Sequence, residues 1–183
     1  MVAMKRTRRK LALSRVYGLL EPGPVVLLAT AHRGRANVMA MSWHTMMEFE
    51  PPLVGCVVSG RNFSFDLLRA SKACVIAIPP ASLARKVVGV GNVSGRRVDK
   101  FATFGLTQAE ASRVAAPLVE ECFANLECRV VDTRFVNRYN FFVLEVVAAW
   151  IDPAARSHRT LHHRGRGEFF AAGRTMKLPS RMK

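Results

Sequence analysis

The chain has 183 residues, half of them hydrophobic, with 28 Lys and Arg against 13 Asp and Glu, for a formal net charge of +15. This length holds one domain with a substantial core and leaves no room for two full ones, and the composition excludes global disorder. The charge predicts a positive field and acidic partners (phosphates, nucleic acid, an acidic protein or an anionic membrane), while no apolar run approaches the ~20 residues of a membrane-spanning helix.

Residues 1–21 read as a basic arm opening with "MKRTRRK", followed by a short helix in "LALSRVYGLL". "TRRKLAL" is only a faint export signal, because Arg15 and Glu21 interrupt the apolar stretch behind it. A cytoplasmic protein is therefore expected. Pro22-Gly23-Pro24 launches a strand in "VVLLATA". His32-Arg33-Gly34-Arg35 then reads as a turn that pairs it with a strand over Asn37–Trp43. "LVGCVVS" after Pro51-Pro52 is a third strand. "SFDLLRAS" is a short helix with Ser64 as its expected N-cap and Asp66 in its first turn. "ACVIAIP" is a fourth strand. A helix is expected in "SLARKVVGVG", then a glycine-containing loop in "NVSGRRVDKFATFGLT" with a helical turn near Asp99 to Phe101. "NLECRVVDTRF" and "NFFVLEVVAAWID" are the last two strands, flanking a turn at Asn137-Arg138. About six strands without regular strand–helix alternation favour an antiparallel barrel over a doubly wound parallel sheet. Several strands are apolar on both faces, so helices or a second subunit must cover the outside; a homodimer is expected.

Cys56, Cys74, Cys122 and Cys128 form no C-x-x-C and sit mostly in apolar stretches, as buried thiols in a reducing compartment would. No hydrolase, zinc-protease or Walker A pattern occurs. "GVGNVSG" has the wrong glycine spacing for a dinucleotide fingerprint and follows a helix, not a strand. His162-His163 has no carboxylate at ligand spacing and reads as a solvated or interface pair. The basic ends alone are the case for nucleic acid, and no recognition motif stands behind them.

Phosphate is the better target. Asn37 at a strand start, Arg61, Asn62 and Ser64 at a helix start, and Asn92, Ser94 and Lys100 across a glycine-containing turn all suit an anion. The strand of Met41, Ser42 and Trp43 suits a flat, polarizable group. Flavin mononucleotide (FMN) has both ends.

In order, "PGPVVLLAT", "NVMAMSWHTMMEFEPPLVGCVV", "SFDLL", "GNVSGRRVDKFATFGLT", "APLVEECFANLEC", "NFFVLEVVAAWID" and "LHHRGRGEFF" resemble the flavin reductase-like, FMN-binding split-barrel family, specifically its flavoredoxin-like branch. The resemblance covers Pro22 to Gly173. It divides the chain into a basic arm and short helix (1–21), an FMN-binding domain (22–173) and a basic tail (174–183). It implies a mainly β, six-stranded antiparallel Greek-key split barrel with short peripheral α-helices, a homodimer, and FMN near the subunit interface. It assigns Asn37 and Trp43 to the flavin strand and Ser64, Ser94 and Lys100 to the phosphate; Tyr139 falls near where the family often has a histidine that contacts the cofactor, and Phe169 lies in a C-terminal segment that packs beside the ring. It also implies electron transfer from NADH or NADPH through flavin to free flavin or another acceptor, or else a flavoredoxin-type carrier docking an acidic redox protein. No side chain is assigned a catalytic acid–base role, and no metal. One departure stands out: where the family often has Thr, this chain has Ala40.

Overall fold

The computed structural model describes residues 9–16, 23–154 and 159–179. Strand β1 (Arg9–Lys10) is followed by β2 (Val26–His32) and β3 (Arg35–Met41), the hairpin expected from the Arg33-Gly34 turn. Arg33 and Gly34 have φ of 49° and 75°. Two positive φ values in a two-residue loop match the right-handed twist of the flanking strands. β3 stops at Met41, short of the expected Trp43, and β4 (His44–Phe49) starts after only Ser42 and Trp43. β5 (Pro52–Val57), helix α1 (Phe63–Ser71) and β6 (Ala73–Ile78) follow. Next come α2 (Ala84–Asn92), α3 (Lys100–Thr103) and the short pair β7 (Gln108–Ala109) and β8 (Leu118–Val119). The long strands β9 (Ala124–Asp132) and β10 (Phe141–Ile151) flank the one-turn helix α4 (Val136–Tyr139), and β11 (Leu161–Gly165) and β12 (Glu168–Ala171) close the described fold.

The main sheet is antiparallel, in the order β3-β2-β6-β9-β10-β5-β4, with β1 added on β10. Its two ends are β3 and β4, neighbours in sequence, so the barrel is split where Ser42 and Trp43 cross from one edge to the other. The sheet has eight strands against the six expected, because the short β1 adds one and "HTMMEF" is a strand of its own. Its alternation is masked by a register shift between Met46 and Glu48.

Two apolar layers result from the period-2 alternation. Val26, Leu28, Met41, Ile76, Leu126 and Leu144 fill the barrel. Leu27, Ala29, Val38, Val75 and Ala77 point outward and are covered by Val87 and Val90 of α2, Phe101 of α3, and the segment from Leu106 to Cys122. Part of the doubly apolar pattern thus reflects cover from within the chain. All four cysteines are free and buried, and Cys74 lies opposite Cys128 in the sheet.

Three local expectations need correction. The N-cap of α1 is Asn62, with extended φ and ψ, and Ser64 lies one turn-step inside, fully buried. The Asn137-Arg138 turn is the helix α4, which ends on Asn140 in the left-handed region. In "LALSRVYGLL" the described part is a single 3-10 turn at Leu13–Arg15; Tyr17 to Leu20 lie outside the described residues.

Candidate functional site

Four segments meet at the open side of β3. Asn37 is buried on β3 and donates from Nδ2 to Ser64 Oγ at 2.8 Å, which ties the strand to the first turn of α1 and leaves the Ser64 hydroxyl hydrogen available to a further acceptor. The loop after α2 brings Ser94 and Gly95 alongside. Gly95 is buried against Asn37 so closely that a β-carbon there would overlap the Asn37 carboxamide. Asp99 caps α3 by accepting from Ala102 N at 3.1 Å, and so sets Lys100 at the start of that helix. Asn37, Arg61, Asn62, Ser64, Asn92, Ser94 and Lys100, with Met39, Gly91 and Gly95, line one pocket of about 250 Å³.

Lys100 is the electrostatic centre of this pocket. It is 5 % exposed, and Nζ donates to the Val90 carbonyl at 2.8 Å. That carbonyl belongs to the last turn of α2, whose dipole presents partial negative charge there. No carboxylate forms an ion pair with Lys100 among the described residues. Burial pushes its ammonium below the ordinary lysine range. A buried cation balanced only by a carbonyl dipole is suited to an incoming anion.

A second cleft, of about 310 Å³, adjoins the first and shares Gly91 and Asn92 with it. Its walls are Val25, Ala40, Met41 and Ser42 on one side and Val87 and Val88 on the other, with Phe169, Gly167 and His163 across the mouth. The His163 ring lies against Phe169, centroids 4.7 Å apart at 33°. They are cross-strand partners in the β11–β12 hairpin. One pocket is polar and carries the cation, and the other is largely apolar. That is the division of labour a phosphorylated aromatic ligand requires.

The structure therefore brings together ten of the twelve residues selected from the sequence, leaving out Trp43 and Tyr139. Trp43 is 71 % exposed at the split between β3 and β4, and Tyr139 is 53 % exposed on α4, beneath Arg138 and beside Phe135. Neither lines either pocket of this protomer. The sequence reading also passed over Gly95, Gly91 and His163. The glycine of "VSG" was a usable signal, whereas nothing in "LHHRGRG" marks which histidine lines the cleft.

The sequence model of the flavin reductase like domain matches residues 19–170. The chain belongs to that family. It is 34% identical over 170 residues to the uncharacterized protein YddH of Escherichia coli K12, covering 85% of this chain and 90% of that one. Among solved structures, an FMN-binding domain of a flavin reductases-like enzyme from Shewanella baltica superposes with a TM-score of 0.90 at 26% identity, covering 96% of this chain and all of the other. Flavoredoxin from Methanosarcina acetivorans superposes with a TM-score of 0.73 at 26% identity, covering 86% and 89%. The mainly β split-barrel architecture is thus that of the flavin reductase-like proteins. The chemistry of the lining is compatible with FMN: the buried Lys100 and the Asn37–Ser64 pair offer donors to an anion in one pocket, and the cleft beside it is largely apolar.

Proposed function

We propose that this protein is an FMN-dependent oxidoreductase taking electrons from NADH or NADPH and passing them to free flavin or another acceptor. The observation that carries this reading is Lys100, a buried cation without a carboxylate partner among the described residues, in a polar pocket that adjoins a second, largely apolar cleft. FMN, when bound, supplies the electron-accepting ring. The chain's residues do the rest. Lys100, Ser64, Ser94, Arg61 and the amides of Asn37, Asn62 and Asn92 take the phosphate and its ester arm. Met41, Ser42, Val87 and Phe169 hold the ring and exclude water from it. No side chain is assigned a proton transfer. Residues 22–173 form the functional domain, between basic segments at 1–21 and 174–183.

We further read Trp43, Met47 and Phe49, exposed beside and along the edge strand β4, as the contact surface of a homodimer. Trp43 would then lie in the assembled interface. Cytoplasmic location belongs to the same proposal; what the structure adds is that, among the described residues, no helix is long and apolar enough to cross a membrane.

The visible spectrum of the purified protein, with chromatography of any released chromophore, tests the cofactor. An oxidised-flavin spectrum yielding FMN supports it, and a colourless protein that takes up no added FMN overturns it. Stopped-flow mixing with NADH or NADPH then tests the donor. The flavoredoxin-type reading, in which the +15 charge steers docking to an acidic redox protein, gains ground if only a protein donor reduces the flavin.

A further inference from the structure

Arg35 and Asn37 stand two positions apart on β3, and both bear on Gly95. Arg35 Nη2 donates to the Gly95 carbonyl at 2.9 Å, with a longer approach to the Arg96 carbonyl at 3.5 Å. Its guanidinium lies over the Phe63 ring, 4.3 Å from the centroid, at the start of α1. Arg96 lies 5.3 Å from the same ring and is ion-paired with Asp66 in the first turn of that helix. The loop is therefore fastened to β3 and to α1 by two arginines that do not line the pocket, stacked on a Phe63 ring that does.

The direction of the Gly95 carbonyl matters because a trans peptide is planar, with C=O and N–H pointing oppositely. Held outward on Arg35, that carbonyl sends the Arg96 N–H the other way, where it donates to Ser94 Oγ at 3.3 Å. Ser94 lines the polar pocket. Turned inward, the carbonyl would present negative charge to an anion and release Ser94.

We propose that Arg35 is a positioning residue that holds the Ser94–Arg96 loop in its phosphate-receiving form, acting on the phosphate without being one of its direct ligands. The inference rests on the FMN reading and adds a selectivity to it: Arg35 matters for flavins that carry the phosphate and not for the ring alone.

The test compares FMN with riboflavin, which has the same ring and no phosphate, in titrations of the wild type, Arg35→Met and Arg35→Lys. Met keeps length and contact with Phe63 but removes every donor, whereas Lys keeps a charge and a donor without the planar stack. Arg35→Met is expected to weaken FMN at least tenfold while riboflavin changes less than twofold, with Lys in between. Hydrogen exchange of the unliganded proteins is expected to quicken at Gly95 to Val98 in Arg35→Met and to stay unchanged in β6 and β9. Equal losses for both flavins, unaltered FMN binding, or unaltered loop exchange would each overturn the proposal. A wild type that binds neither flavin overturns the cofactor reading itself, and the inference with it. That outcome is seen before any variant is made.

Discussion

Trp150 Nε1 donates to Glu127 Oε1 at 2.7 Å, joining β10 to β9 on the outer face of the barrel. Glu127 is fully buried and also accepts from Ser112 N and Oγ, each at 3.0 Å, and from Arg113 N. Burial acts to raise this carboxyl's pKa, and the bonds from Ser112, Trp150 and Arg113 more than offset it, leaving it below the ordinary glutamate value. One ionised side chain thus fastens the segment between α3 and β9 to the sheet that it covers.

Because the folded pKa is depressed, Glu127 contributes stability above the unfolded glutamate value of about 4.3 and loses it as pH falls from there through the lower folded value. Glu127→Gln is expected to be least stable relative to the wild type at neutral pH, with the gap narrowing below about pH 4.3. Trp150→Phe removes one bond to the carboxylate, a cost of about 1.5–3 kcal/mol. Urea unfolding at stepped pH measures both. A gap independent of pH would show that Glu127 acts through packing alone.

Gly95 has no room for a side chain, since the Asn37 carboxamide occupies the position its β-carbon would take. Gly95→Ala must push the loop away from β3 or break the Asn37–Ser64 bond. Overpacking of this kind costs about 1–3 kcal/mol. If that strain falls on the pocket, FMN affinity drops roughly 5- to 150-fold. Calorimetric titration checks it, with thermal unfolding as the control. Gly91→Ala is the comparison, because its added methyl would meet Ala40 at an ordinary 3.7 Å.

Lys100 makes binding pH-dependent with a defined sign. Its ammonium is pushed below the ordinary lysine range by burial, so it loses its proton at lower pH than an exposed lysine would. The neutral amine attracts the phosphate less, so FMN should bind progressively more weakly on the alkaline side, starting below the usual lysine value of about 10.4. Lys100→Met should flatten that limb and weaken FMN at neutral pH by about 1.5–3 kcal/mol, the usual worth of a charge-assisted hydrogen bond. It should not destabilise the unliganded protein, because it removes a buried charge that costs free energy to hold. Fluorescence titration from pH 6 to 10 and a melting curve read both effects.

What the sequence disclosed and what it hid follow from the physics of each element. The β2–β3 hairpin was legible because turn chemistry and apolar runs are local. The anion pocket was legible because hydroxyls, amides and a lysine beside glycines are recognisable as types. β4 was missed because its register shift breaks the alternation on which strand reading depends. Ser64 was misread as a cap because only the fold shows that Asn62 takes the extended conformation and that Asn37, distant in sequence, claims the serine oxygen. Arg35 resembles any surface arginine until the loop carbonyl it holds is seen. His163 differs from His162 only in which side of the β11–β12 hairpin faces the cleft.

Ala40 offers the last test, because it lies in the wall of the second cleft, at the position where the family resemblance leads one to expect Thr. Its neighbour across the cleft is Gly91, and the absence of a β-carbon there leaves space for a larger residue 40. In Ala40→Thr the added hydroxyl enters a cleft that Ser42 and Asn92 also line. A net hydrogen bond there is worth on the order of 1 kcal/mol, so FMN should bind several-fold more tightly. Gly91→Ala in the same chain should take back part of the gain by crowding the new side chain. An unchanged dissociation constant for Ala40→Thr would mean that the hydroxyl finds no partner on the ring. Gain in the single variant, diminished in the double, would place residue 40 and the end of α2 in direct contact beside the bound flavin.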